Sequence, residues 1–406
     1  MTPCLKFQTS EEIIMAQQDP IDQRKLFTQT LVISMIIWLI LIMGWSYFSR
    51  PPVSDKQPEE VIAEVEKLRA EKDYVEATRR AQELANRYRG AEYGALGILL
   101  EAKIYYEDKQ DPREAYNRLR QLEELYPNTE VYKEQGLPLL EQVSQKIDQE
   151  MGQLPSYRAL DAIMGLFSFA GDVRFILGII FIAAVIRLIQ VPLVNRQFAS
   201  MRKMLQLQPK LLELQQKYSG QELMQRQMAL YKKYGVNPMG GCLYALLPIP
   251  FLILVYNAFL VYQVQFREGH FLWINPDFAA RFPGMVGAHL GQFDAPLTLL
   301  YAASMYITSR LTITDPSQAQ MQKTMAIFTT LMLLVFSWQF RFPAAFILYW
   351  LLTNVFYTVH YKLYMRTPAP ELTPVDESDS QAPRNGAVEK PKPMGYQPPK
   401  KRSKRK

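Results

Sequence analysis

From Leu26 to Ser49 the chain carries 24 consecutive uncharged residues, centred on LVISMIIWLILIMGW and bracketed by Arg24, Lys25 and Arg50. A helix rises about 1.5 Å per residue, so this run covers the roughly 30 Å hydrocarbon core of a bilayer. In lipid the backbone must satisfy its own hydrogen bonds, which makes a lone spanning segment of this kind an α-helix. The run is long for the apolar part of a cleaved leader, and it continues as WSYFSRPP with no small-residue cleavage site. Glu11, Glu12, Asp19 and Asp22 argue against an organellar transit peptide. Residues 26–49 are therefore expected to be a retained transmembrane anchor.

Five more apolar runs follow: Phe175 to Asn195, broken only by Arg187; Tyr234 to Phe266; Ala295 to Ser309; Thr324 to Phe340; and Phe342 to Tyr361. The fold class expected is all-α and polytopic, with six transmembrane helices. Little more than Arg341 and Pro343 divides the last two runs, which predicts a tight hairpin. Ala295–Ser309 has only 15 residues, about 22 Å of helix, so flanking groups snorkel there or the bilayer thins.

Charge sets the orientation. Arg196–Lys233 holds eight basic residues against Glu213 and Glu222, and Arg384–Lys406 holds nine against one acid. Lys and Arg near span ends collect on the cytoplasmic side. The N-terminus (1–25), the 196–236 segment and the tail (367–406) are then cytoplasmic. Residues 50–150 and the 267–293 loop are exported. Cys4 and Cys242 offer no disulfide framework, so nothing depends on an oxidising compartment.

Residues 51–150 carry 22 acidic and 15 basic side chains, with apolar positions at helical spacing. The stretch DYVEATRRAQELANRYRG (Asp73–Gly90) recurs 38 residues on as DPREAYNRLRQLEELYPN (Asp111–Asn128), with Asp, Glu, Ala, Arg, Leu and Tyr in register. This pattern resembles tetratricopeptide-type helical hairpins. Two units are fewer than such arrays usually need, so the block is expected to lean on flanking helices or on the membrane domain. It is either a protein-docking surface or a spacer that packs on itself. Between it and the second span, residues 151–174 include YRALDAIMGLF (Tyr157–Phe167), read as a short amphipathic helix along the outer interface or an ordinary linker helix.

Arg187 lies twelve residues into a span that runs inward, about 18 Å deep. Such a charge is expensive in hydrocarbon and usually faces a water-filled cavity or a partner. No acid lies in the other spans, which points to a hydrated, positively charged hollow; an arginine snorkelling to inner-leaflet phosphates is the simpler alternative. Gln190, Asn257, Ser304, Thr330, Ser337, Thr353 and Asn354 are candidates for polar lining or for interhelical hydrogen bonds. The segment from Arg196 reads as two helices broken at Ser219-Gly220. It carries Arg202, Lys203, Lys210 and Lys217, with Met224 and Met228 either presenting an adaptable apolar surface or packing one arm on the other. The tail ends in Lys400, Lys401, Arg402, Lys404, Arg405 and Lys406. A cytoplasmic polycation of this kind suits ribosomal RNA or anionic lipid, or it is merely solvated. Phosphate-loop, zinc-protease, nucleophile-elbow and Cys/His metal patterns are missing. No cofactor, metal, DNA partner, covalent chemistry or nucleotide hydrolysis is expected.

Four pieces together resemble the YidC/Oxa/Alb family of membrane protein insertases: Ile186–Tyr218 with its arginine and LQPK, YKKYGVNPMGGCLYALLPIPFLILVY (Tyr231–Tyr256), FPAAFILYWLLTN (Phe342–Asn354), and the basic tail. The resemblance covers roughly Asp172 to Arg366. It implies a five-helix core (175–366) with a groove open to cytoplasm and lipid, Arg187 facing it, in a bacterial inner membrane. It also implies assisted insertion of nascent membrane polypeptides, alone or beside the Sec translocon, with the hairpin receiving substrate and the tail contacting the ribosome. Departures from the family pattern include Pro248 in place of a glutamine, and His360-Tyr361 in place of a Gln-Gln pair. The rival readings are a small-molecule or ion transporter, for which internal symmetry is wanting, and a membrane-tethered repeat scaffold.

Overall fold

The computed structural model describes residues 56–236, 248–312, 319–368 and 371–374, together with Thr30, Ile33, Ser34, Ile37, Ile40, Leu41 and Gly44. The isolated positions from Thr30 to Gly44 are helical. The rest of the expected anchor, and the tail residues Lys400 to Lys406, lie outside the described residues. The secondary structure described is helical, apart from an isolated bridge between Phe271 and Ile274.

The first helices are α1 (Pro58–Ala70), α2 (Tyr74–Arg87), α3 (Glu92–Lys103), α4 (Pro112–Leu125) and α5 (Leu137–Met151). The 38-residue repeat corresponds to α2 and α4, and each matched residue has a structural job. Asp73 and Asp111 are N-caps, accepting the Glu76 and Glu114 amides at 3.1 Å in both helices. Ala77 and Ala115 are fully buried where helices cross, beside the buried Leu84 and Leu122. Tyr88 and Tyr126 occupy the C-caps. The α2–α3 crossing is tight enough to require glycine: a Cβ on Gly97 would stand 2.5 Å from the Ala85 amide nitrogen.

This block has a third support, the loop between residues 262 and 294. Glu123 of α4 accepts from Tyr132 and Arg267 at 3.0 Å and meets His289 Nε2 at 3.1 Å. Burial alone would raise its carboxyl, but His289 and Arg267 outweigh burial and hold it well below the usual carboxylate range. Glu124 accepts from Arg341 Nε and from the Phe293 amide, and its own carbonyl accepts the Gly284 amide at 2.7 Å. Arg120 donates to the Gly291 carbonyl at 3.1 Å, and Gln265 to Asp148 at 2.9 Å. An acidic helix face thus meets basic groups of the membrane half, where the short repeat array lacks neighbours of its own.

The second half contains α6 (Pro155–Gly165), α7 (Arg174–Lys217), α8 (Gly220–Lys233), α9 (Pro248–Val261), the short α10 (Pro276–Arg281), α11 (Ala295–Leu311), α12 (Ala319–Phe340) and α13 (Ala344–Arg366). One core joins α6, α7, α9 and α13 through Met164, Phe175, Ile179, Phe259 and Phe346, with Tyr262, Phe266 and Leu290 from the loop. α11 is tied to α13 by Asn354–Ser304 at 2.9 Å and Thr308–Thr358 at 2.6 Å. α12 runs along α11, and only Arg341, Phe342 and Pro343 separate it from α13.

The sequence divides the second span from a cytoplasmic arm near Asn195, but α7 runs unbroken for 44 residues through Pro192 and Pro209. The chain turns only at Ser219-Gly220, where Gly220 has φ +59°. Among the described residues two helical segments are long and apolar enough to cross a membrane, Ser168–Lys217 and Gln322–Phe340, and Ile249–Val261 is a shorter apolar helix.

Candidate functional site

α7 presents two faces around Arg187. Leu188 and Ile189 point outward, 69% and 59% exposed. The half-buried guanidinium turns the other way, onto α13. Its Cζ is 4.9 Å from the centroid of the Tyr357 ring, and one Nη is 3.5 Å from His360 Nδ1. His360 Nε2 lies 2.8 Å from Asn195 Oδ1, back on α7. A guanidinium only donates, so the tautomer with its proton on Nε2 satisfies both contacts, Nδ1 accepting from Arg187 and Nε2–H donating to Asn195 Oδ1. Tyr357 and His360 are three residues apart on one helix face. Arg187 Nε is buried without a hydrogen-bond partner, and among the described residues no carboxylate pairs with the guanidinium.

About three turns from Arg187 towards the helical arm, the fully buried Phe198 fixes the register of α7 on α13. The rings of Tyr357, His360, Tyr361 and Tyr364 stand 5.1 to 5.5 Å from it, three of them edge-on. Arg202 then stacks 4.2 Å over Tyr364 and donates to Thr367 at 2.9 Å. The helix pair is thus clamped on the arm side of the arginine.

The polar residues expected to line one hollow are dispersed. Gln190 is buried on α7, one turn beyond Arg187. Ser304 and Asn354 bond to each other across α11 and α13. Asn257 is exposed and donates to the Ile253 carbonyl at 2.8 Å; Thr330 and Thr353 likewise bond to their own helices. Ser337 is fully buried and its hydroxyl has no partner. In the arm, α7 and α8 meet through Leu207, Leu211, Tyr234 and Val236. Lys210 binds the Tyr234 hydroxyl, Lys217 pairs with Glu213 at 2.5 Å, and Lys203 is exposed. Met224 and Met228 do not pack the arms together; they are 65% and 47% exposed, and no residue of α8 is buried. Sequence reasoning gave His360, Tyr357 and Asn195 no place in the site. The clue available was positional: His360 closes the one apolar run that contains a histidine.

A helical core with outward apolar faces and a guanidinium held at mid-helix is the design of a membrane-embedded protein rather than a soluble bundle. The sequence pattern of the family described as 60Kd inner membrane protein matches residues 165–370, just over half the chain, and the chain belongs to that family. A pattern described as a tetratricopeptide repeat-like domain matches residues 25–139.

Among curated relatives, the protein called membrane protein insertase YidC of Aeromonas salmonicida (strain A449) is 40% identical over 184 residues, 44% of this chain and 30% of that protein. Its namesake in Helicobacter pylori (strain ATCC 700392 / 26695) is 35% identical over 196 residues, 47% of this chain and 32% of that protein. The chain thus spans about a third of the length of the curated relatives it matches. A crystal structure titled active YidC insertase with the first transmembrane domain resolved aligns with TM-score 0.37 and 20% identity, over 67% of this chain and 53% of that one.

Proposed function

We propose that this chain is a membrane protein insertase, which helps nascent membrane polypeptides enter the bilayer through a cytoplasm-facing groove beside Arg187. The carrying observation is the guanidinium itself: half-buried, with no carboxylate partner among the described residues, and with a buried Nε left unsatisfied. A polar group in hydrocarbon costs several kcal/mol when unpaired. A substrate's short polar flank, carboxylate-bearing or neutral, gains a donor there part-way across. Its apolar segment then leaves along the exposed faces of α9 and α12. Partitioning into lipid drives the step, so no nucleotide is consumed.

Six spans complete the reading, with the N-terminus, the α7–α8 arm and the tail in the cytoplasm of a bacterium and residues 50–150 exported. The exposed Met224 and Met228 receive the substrate, and Lys400 to Lys406 contact the ribosome. Insertion proceeds alone or beside the Sec translocon. Membership of the 60Kd inner membrane protein family and the names of the relatives support the reading.

The test uses the full chain in proteoliposomes with a single-spanning substrate. Photo-crosslinkers at positions 184 and 191 and along Thr324–Phe340 are expected to trap ribosome-tethered nascent chains, and Arg187→Ala to cut insertion by about tenfold, the equivalent of one lost charge-assisted hydrogen bond. Absence of adducts, with ribosomes bound and translating, refutes the groove.

A further inference from the structure

Two cavities flank α4 where it meets the α12–α13 turn, of about 540 and 500 Å³. They share Arg118, Gln121 and Arg341 as a common wall, so they lie side by side as adjoining lobes. Arg120 lines one lobe and Arg89 the other. None of these arginines is used up by its protein partners. Arg118 reaches Glu101 at 3.3 Å through Nε and Gln121 at 3.5 Å through Nη1, Arg89 reaches Asn86 through Nη2, Arg120 reaches the Gly291 carbonyl through Nη1, and Arg341 holds Glu124 and the Gly284 carbonyl through Nε and Nη2, with Glu114 and Glu124 also in the lining of the first lobe. Each retains a guanidinium nitrogen with which to meet an incoming anion.

The far wall has the opposite character. Tyr256 and Leu260 come from the end of α9, and Phe340 and Phe342 from the end of α12 and its turn. Phe340 and Trp338 are 59% and 52% exposed, and they continue the outward apolar face of α12. Aromatic side chains at the end of an apolar helix mark the level of lipid headgroups. Arginine binds phosphate through paired N–H groups. We infer that this cleft is a binding site for an anionic phospholipid of the outer leaflet, its phosphate between Arg118, Arg120 and Arg341 and its acyl chains descending past Phe340.

The inference rests on the topology given above, which puts the α12–α13 turn at the exported surface. It differs from the insertion reading in requiring no substrate. A carboxylate of an exported polypeptide segment would suit the arginines, but the apolar wall opens towards the lipid-facing side of α12, which favours a lipid.

The test is native mass spectrometry of the full chain released from nanodiscs of phosphatidylglycerol and phosphatidylcholine in equal parts. Retention of phosphatidylglycerol is expected to exceed that of phosphatidylcholine by about tenfold. The Arg118→Gln/Arg120→Gln variant should abolish that preference, Arg118→Lys/Arg120→Lys should keep part of it, and Arg366→Gln, at the other end of α13, should leave it intact. Circular dichroism melts identify a variant that fails to fold, and the lysine variant then carries the comparison. Equal retention of the two lipids overturns the inference, as does an unchanged preference in the glutamine variant. So does displacement of the lipid by millimolar inorganic phosphate or by a soluble acidic peptide. No lipid preference in the unaltered chain, with crosslinking from positions 184 and 191 preserved, would remove this site alone; the converse would remove the insertion groove alone.

Discussion

Glu101 shows how one side chain ties stability to pH. Its carboxylate is almost completely buried, and burial pushes it up to about 7 from an ordinary value of 4.5, against the pull of Arg118 and Gln82. A group whose folded pKa is raised contributes stability that is complete below the unfolded pKa and lost as pH rises through the folded one. The repeat block should therefore melt lower at pH 7.5 than at pH 5 on this account, and Glu101→Gln should flatten that slope in differential scanning calorimetry of the full chain. Glu123 works in the opposite sense: held low by His289 and Arg267, it contributes stability above pH 4.5 that is lost on acidification. Arg341 supplies a second residue-scale prediction. It adopts φ +46°, where glycine would be easier, yet its guanidinium neutralises the buried Glu124. Arg341→Gly should therefore destabilise by about 3–5 kcal/mol despite the better backbone, because Glu124 is left uncompensated. Denaturant unfolding followed at the junction measures it.

Among the elements, α3 is the one most constrained by geometry. Gly97→Ala forces a methyl into the α2 backbone near Ala85, with no flexible side chain to yield. The cost should be about 1–3 kcal/mol, read as a lowered melting temperature. The repeat itself was legible in the sequence because caps, small crossing residues and C-terminal tyrosines recur at fixed spacing. The junction was not: Glu123, Glu124, Arg267, His289 and Arg341 lie far apart in the chain, and no periodicity links them. Arg187 was conspicuous as a lone charge in an apolar run. Its partners were hidden, since tyrosine and histidine near a span end also read as an ordinary interfacial belt. The candidates for polar lining were ambiguous in the sequence for a related reason: short hydroxyl and amide side chains on helices commonly bond to the preceding turn or to one neighbour, and composition cannot tell these uses from a shared lining.

For the molecule as a whole, orientation is the decisive quantity. With Cys4 and Cys242 replaced, single cysteines at Asn86 and Ser219 should behave oppositely in intact cells. A membrane-impermeant thiol reagent should label position 86 from outside and position 219 only after permeabilisation; the reverse pattern would invert every assignment of sides. Truncation after Pro383 should weaken ribosome co-sedimentation in a salt-dependent way, as expected for a basic tail meeting the phosphates of ribosomal RNA.

The unbroken length of α7 has a mechanical outcome. At 44 residues it is a rod of about 66 Å with Arg187 about a third of the way along it and the arm at its far end. Pro192 and Pro209 each delete one backbone hydrogen bond, so bending is concentrated at two known joints. Both joints lie between the guanidinium and the tip, so any swing of the arm is taken up there and leaves Arg187 seated on Tyr357.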